Sequence, residues 1–144
     1  KRQVGRLDKD SEGLMLLSDD GKLQHKLSNP KNKIRKTYNV QVEGEPKQSD
    51  LNLLRVGIEL KDGLTRPAEV KIIEAPYLWD RDPPIRLRKT VPDSWLEVII
   101  YEGRNRQIRR MTAAVGHPTL RLIRIKIGSY SLDNLMPGDF ETVV

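Results

Sequence analysis
The period of the hydrophobic pattern changes repeatedly along the chain, and each change predicts an element. Leu14 to Leu17 is an unbroken apolar run, too short for a helix and closed by the turn residues Ser18-Asp19-Asp20-Gly21, so it reads as a covered strand. Ser18 or Asp19 then caps a short helix with Leu23 and Leu27 on one face, which Asn29-Pro30 stops. Lys31 to Lys36 is a basic loop. From Lys36 to Val42 the chain alternates, with Tyr38, Val40 and Val42 on one side of a strand and Thr37, Asn39 and Gln41 on the other. Gln48-Ser49-Asp50 starts a second helix, on which Leu51, Leu54 and Ile58 form a stripe that Gly57 and Asp62-Gly63 bring to an end.

Ala68 to Glu74 reads as a strand. Pro76 to Ser94 carries Pro76, Pro83, Pro84 and Pro92 among Trp79, Arg81, Arg86, Arg88 and Lys89, which predicts a long irregular arm. Trp95 to Tyr101 is a strand. Glu102-Gly103-Arg104 turns into a helix capped by Asn105, with Ile108, Met111, Thr112 and Val115 on one face, Arg106, Arg109, Arg110 and Ala113 on the other, and Gly116 at its end. Thr119 to Ile127 alternates again, Ile123, Ile125 and Ile127 opposite Leu122, Arg124 and Lys126, a strand with one apolar and one basic side. Asp133-Asn134 and Pro137-Gly138 are turns. Strands in tandem with scattered helices predict an α+β fold on a mainly antiparallel sheet, and 144 residues make one domain, residues 1–144.

Composition narrows the chemistry. The chain has no cysteine, and its two histidines, His25 and His117, lie far apart in sequence, so neither a disulfide framework nor a metal site is expected. No apolar run approaches the roughly 18 residues of a membrane span, and no signal peptide is visible, so a cytoplasmic protein is expected. The net charge of +6 and the isoelectric point near 9.7 favour a polyanionic partner. Between Gly103 and Leu132 stand Arg104, Arg106, Arg109, Arg110, Arg121, Arg124 and Lys126 with no acid among them, a stripe of one sign that points to nucleic acid. Arginines at the start of a helix oppose its dipole, so something acidic, a phosphate or a carboxylate such as Asp8, is expected to offset them.

The segment Gly5-Arg6-Leu7-Asp8-Lys9-Asp10-Ser11-Glu12-Gly13-Leu14 is a short polar loop feeding an apolar strand. A carboxylate just before a rigid strand is placed to act on a ligand, and Arg6 beside it can reach a phosphate or a base. Equally, Asp8 or Asp10 can close an Asx turn. Tyr38 at the start of its strand is either a core aromatic or a ring that stacks on a base.

This loop, continued through Met15-Leu16-Leu17, resembles a signature of the pseudouridine synthases that modify ribosomal RNA. Lys36-Thr37-Tyr38, Glu102-Gly103-Arg104-Asn105-Arg106-Gln107-Ile108-Arg109-Arg110-Met111, and Gly116-His117-Pro118 with Leu120-Arg121-Leu122-Ile123-Arg124 are similar to three more, in the family's order over nearly the whole chain. The resemblance implies an α+β catalytic fold of two subdomains around a cleft. It also implies conversion of a uridine in 23S ribosomal RNA to pseudouridine, without metal or cofactor. It casts Asp8 as the catalytic carboxylate, Arg109 as its pairing arginine, Tyr38 as the base-stacking tyrosine and Arg6 as the residue that fills the gap left by the flipped nucleotide. Arg104, Arg106, Arg110, Arg121 and Arg124 would then supply phosphate contacts; from the residues themselves, Lys36 of the basic loop reads as RNA-facing, Asp10 as a turn former and Glu12 as an exposed acid. The arm around Trp79 is similar to that of a branch acting on the large subunit without an N-terminal module of the ribosomal-protein S4 type, and no such module is visible here. A monomer is expected, because no long exposed apolar stripe demands a partner.

Two other readings compete. A non-catalytic RNA-binding or ribosome-assembly module would need the basic surface and the tyrosine but not Asp8, which repels phosphates. A metal-dependent nuclease would need an acidic or histidine cluster.

Overall fold
The computed structural model describes residues 2–86 and 90–143, so Arg88 and Lys89 of the arm lie outside the described residues. The elements in order are β1 (Arg2–Val4), β2 (Glu12–Gly13), β3 (Leu16–Ser18), α1 (Gly21–Ser28), a 3₁₀ turn (Pro30–Asn32), β4 (Lys36–Glu43), α2 (Gln48–Val56), β5 (Glu59–Leu60), β6 (Gly63–Leu64), β7 (Glu69–Ile73), β8 (Asp93–Ile100), α3 (Gln107–Ala114), β9 (Thr119–Ile127) and β10 (Tyr130–Ser131). The main sheet runs β10-β9-β4-β8-β7, antiparallel throughout, with β2 added parallel to β9. The α+β expectation with a mainly antiparallel mixed sheet holds.

Alternation on β4 and β8 puts Val40, Val42, Leu96, Val98 and Ile100 on one face, where Leu51 and Leu54 of α2 and Ile108 and Met111 of α3 close over them. Every one of these side chains is at most 3% exposed, so burial of this one face supplies the main driving force for the fold. β4 is the central strand, and its second face is covered too: Thr37, Asn39 and Gln41 are all buried.

The alternation expected of β9 is broken by two register shifts against β4, one between Gln41 and Val42 and one between Thr37 and Tyr38. Thr37 pairs with Lys126 and Tyr38 with Arg124, so Ile125 is an extra, bulged residue. Cross-strand partners share a face. Leu122 and Arg124 therefore lie on the core face beside Val40 and Tyr38, and Ile127 joins that face next to Lys36 instead of following Ile123. The side expected to be basic and exposed carries Arg124 into the interior, where it is 2% exposed.

Other expectations need correction near element ends. The apolar run Leu14 to Leu17 is not one covered strand: Leu14 is buried, but Leu17 is 60% exposed on β3, which pairs with β1 rather than with the main sheet. The cap of α1 is Asp20, whose carboxylate accepts from the Lys22 N–H at 2.9 Å, while Ser18 caps the Asp20 N–H. Ile58 lies beyond α2, past Gly57, and packs on the core just ahead of a hairpin of β5 and β6 that the hydrophobic pattern does not reveal. Asn105 does not cap α3; Arg106 takes the N-cap position in a left-handed conformation. The arm from Pro76 is irregular as expected, although β8 already begins at Asp93.

Candidate active site
The loop from Gly5 to Leu14 is locked against β9 by one close approach and one side chain. Gly13 has φ +111°, and a β-carbon there would meet the Arg124 carbonyl oxygen at 2.2 Å, so only glycine lets β2 pair with β9. Arg124 then reaches back. Its guanidinium donates to the carbonyls of Leu14 (3.0 and 2.9 Å), Gly5 (3.1 Å) and Arg6 (3.3 Å), holding both ends of the loop. Between them the Ser11 N–H donates to the Asp8 carbonyl at 3.0 Å, a tight turn that presents Asp8.

Asp8 faces a cleft of about 520 Å³ between the β1-β3-α1 unit and the open end of the main sheet. Arg6, Lys36, Tyr38, Arg104, Arg106 and Arg124 line the same cleft. Tyr38 is half-buried there; burial pushes its phenol pKa up, and the adjacent Arg124 charge opposes that rise. The ring is therefore a neutral, largely apolar surface at rest. Burial pulls the Lys36 ammonium pKa down, the Arg124 charge adds to the effect and Glu102 opposes it. A carboxylate, an aromatic face and cations thus converge on one concave site, the arrangement expected for handling a nucleotide.

The arginines at the start of α3 find carboxylates, with Asp8 among them but Asp10 the nearer partner. Asp10 accepts from both terminal nitrogens of Arg106 at 2.9 and 2.8 Å, and the Asp8 carboxylate stands 3.9 Å from the same guanidinium. Arg109 donates to the Asp10 backbone carbonyl at 2.9 Å, with its Nε 3.7 Å from the Asp10 carboxylate. The structure gives Arg109 to Asp10 rather than to Asp8. Asp10 is accordingly more than a turn former: the hydrogen bond from Arg106 dominates in lowering its pKa to about 2.

Of the seven residues expected at the RNA, Arg6, Lys36 and Arg106 line the cleft with side chains not fully absorbed by the fold. Arg104 also lines it, but it donates to Glu102 (3.0 Å) and to the carbonyls of Gly63 (3.0 Å) and Leu64, clamping the β5-β6 hairpin. Arg110 grips Asp62 in the turn of that hairpin at 2.8 and 3.2 Å. Arg124 is the loop clamp just described. Arg121 is 8% exposed and donates to Glu12 at 2.8 and 2.9 Å and to the Trp79 carbonyl at 2.8 Å, its guanidinium 5.7 Å from the Trp79 ring centre. Glu12 is not exposed but part-buried, and it also accepts from the Trp79 indole at 2.8 Å. Sequence reasoning missed Asp10, Glu12, Asp62 and Glu102 as partners. The signal was present, since a helix start crowded with arginines needs acids, but it does not say which.

Among the described residues no group of histidine, cysteine, aspartate and glutamate side chains is disposed to hold a metal ion, and no helix is long and apolar enough to cross a membrane.

Comparison with known proteins now places the chain. Residues 2–114 match the family model described as RNA pseudouridylate synthase. A Ribosomal large subunit pseudouridine synthase E from Xanthomonas campestris pv. campestris is 64% identical over 138 residues, covering 95% of this chain and 74% of that protein. One of the same name from Vibrio parahaemolyticus is 56% identical over 140 residues, covering 97% of this chain and 59% of that protein. A solved structure described as a pseudouridylate synthase superposes with a TM-score of 0.75 at 33% identity, over 91% of this chain and 50% of that one. With residues 2–114 matched by the family model, this chain belongs to the RNA pseudouridylate synthase family.

Proposed function
We propose that this chain converts a specific uridine of 23S ribosomal RNA, in the large subunit, to pseudouridine, with Asp8 as the catalytic carboxylate. The observation that carries the reading is the meeting of Asp8 and Tyr38 in one cleft with Arg6, Lys36 and Arg106, in a chain whose relatives bear the large-subunit name.

The target nucleotide is turned out of its stack, which costs a few kcal/mol, least where the base is already unpaired. Arg6, exposed beside Asp8, occupies the space it leaves. The uracil lies on the Tyr38 ring, a stack worth roughly 1–3 kcal/mol. Asp8 works at the ribose, either by attacking C1′ or by taking a proton from the sugar, and the N1–C1′ bond breaks. The base rotates, C5 joins C1′, and the C5 proton leaves while N1 gains one, so the product is an isomer. Arg109 serves Asp8 indirectly. By holding the Asp10 carbonyl it fixes the turn that aims Asp8. Arg106, 3.9 Å from Asp8, keeps that carboxylate in a cationic field.

The test is tritium release from 23S ribosomal RNA transcribed with 5-tritiated uridine. The wild-type chain releases one equivalent per transcript. Asp8→Asn lowers turnover at least about 10³-fold with RNA affinity retained. Full activity in that variant would remove Asp8 from the chemistry, and tight binding without release by the wild type would leave the non-catalytic module.

A further inference from the structure
We propose that the Asp10 carboxylate is a built-in stand-in for an RNA phosphate, occupying the Arg106 fork until a correctly seated RNA displaces it, and so a specificity-determining residue. The inference rests on reading the cleft as an RNA site and deepens it by naming the group that RNA must displace.

Three observations carry it. First, the contact is a fork-to-fork pair, 2.9 and 2.8 Å, the geometry in which a guanidinium takes either a carboxylate or a phosphate. Second, the pair is displaceable. Arg106 and Asp10 side chains are 46% and 42% exposed, and exposed ion pairs are weak and screened. Arg121 and Arg124, by contrast, are only 8% and 2% exposed and are held by acceptors within the fold. Third, the displaced carboxylate has somewhere to go. Among the described residues Arg109 Nε and Ser11 Oγ are buried with no hydrogen-bond partner, and both adjoin Asp10, the first only 3.7 Å from its carboxylate. Such orphan donors are costly, and a small shift of Asp10 off Arg106 toward Arg109 satisfies Nε. The site therefore has two arrangements: Asp10 on Arg106 in the free protein, or Asp10 on Arg109 with a phosphate on Arg106. An RNA that merely grazes the basic surface does not release Arg106. One that seats a nucleotide at Asp8 puts its backbone against the 3.9 Å neighbour of that carboxylate and does.

Filter binding over a range of salt concentrations tests this, with a 23S ribosomal RNA transcript as substrate and a transfer RNA transcript as non-substrate. Asp10→Asn is expected to bind the transfer RNA about threefold tighter or more. Its plot of log affinity against log salt is expected to steepen by about 0.7–0.9, one newly available phosphate contact. The 23S transcript, which already displaces Asp10, gains less, so discrimination falls. Glu45→Gln removes an exposed acid elsewhere and controls for net charge; a transfer RNA slope no steeper in Asp10→Asn than in this control overturns the proposal. The gain must also vanish in an Arg106→Ala background, and its persistence there overturns it too. If Asp10→Asn does not fold, Arg106→Ala alone decides: weaker 23S binding with unchanged transfer RNA binding supports the displacement, and equal loss on both overturns it. Tritium release by the wild type reports separately on the proposed function. Should that fail, the transfer RNA slopes still decide whether Asp10 blocks Arg106.

Discussion

Gly13 and Arg124 approach each other so closely that a methyl group on the first would lie 2.2 Å from the carbonyl oxygen of the second. The contact is reciprocal, because the Arg124 side chain returns to hold the carbonyls of Leu14, Gly5 and Arg6. The Asp8 loop is thus fastened through its backbone, at a strand that also carries the partner of Tyr38. Gly13→Ala is expected to destabilise the fold by about 2–4 kcal/mol, from steric overlap and backbone strain together. Urea unfolding midpoints at constant slope measure it. Arg124→Met leaves at least one buried carbonyl without a donor and should cost about 2–4 kcal/mol with loss of turnover. The salt dependence of RNA binding stays as in the wild type; a slope shallower by about 1 would make Arg124 a phosphate contact after all.

Arg109 presents a different case, because its main acceptor is a backbone carbonyl of the catalytic loop and not Asp8. Arg109→Ala should lower kcat by about 10- to 100-fold while raising KM less than threefold, since it loosens the aim of Asp8 without removing a contact to RNA. Single-turnover tritium release separates the two terms. A change confined to KM and sensitive to salt would reassign Arg109 to the RNA surface.

Glu12 ties three parts of the chain together: the Asp8 loop, β9 through Arg121 and the arm through Trp79. Glu12→Ala removes both carboxylate acceptors from the buried Arg121 guanidinium, which keeps the Trp79 carbonyl, at a cost of about 3 kcal/mol. The indole also loses its hydrogen bond. In a Trp95→Phe background Trp79 is the sole tryptophan, so its emission should shift to the red on this substitution. Unchanged emission and stability would mean that the arm is held elsewhere.

Acid stability carries a signature of the Asp10 pair. Its carboxyl is lowered in the fold from 3.8 to about 2, so its contribution is complete above about pH 4 and is lost as pH falls toward 2. The group is largely exposed, so the contribution is small. Asp10→Asn should therefore be less stable than the wild type at pH 6, with the gap closing between pH 4 and 2. Urea midpoints across that range show it, and a gap that does not change with pH would assign the loss to packing.

Much of the architecture was legible because period and burial are linked. Lys36 to Val42 alternates and is a strand; Leu51 and Leu54 sit three apart and face the core; Asn29-Pro30 stops a helix. The failures lie where alternation meets a local irregularity. The bulge at Ile125 reverses which residues of β9 face inward, and nothing in Ile123-Arg124-Ile125-Lys126-Ile127 marks it. The hairpin around Lys61 and Asp62 has strands of two residues each, too short to show a period.

By itself, the sequence determined the longer elements and the family, because hydrophobic pattern and motif chemistry are local properties. Only the tertiary structure decided which charge each arginine meets. Arg104, Arg106, Arg109, Arg110, Arg121 and Arg124 look alike along the chain, yet two clamp a hairpin, one an arm and one the catalytic loop. Coulomb attraction and hydrogen-bond geometry act over a few ångströms of space, and the partners lie from 2 to 119 residues away. The fold therefore selects which cations are consumed in holding it together and which, Arg6, Lys36 and Arg106, remain at the cleft.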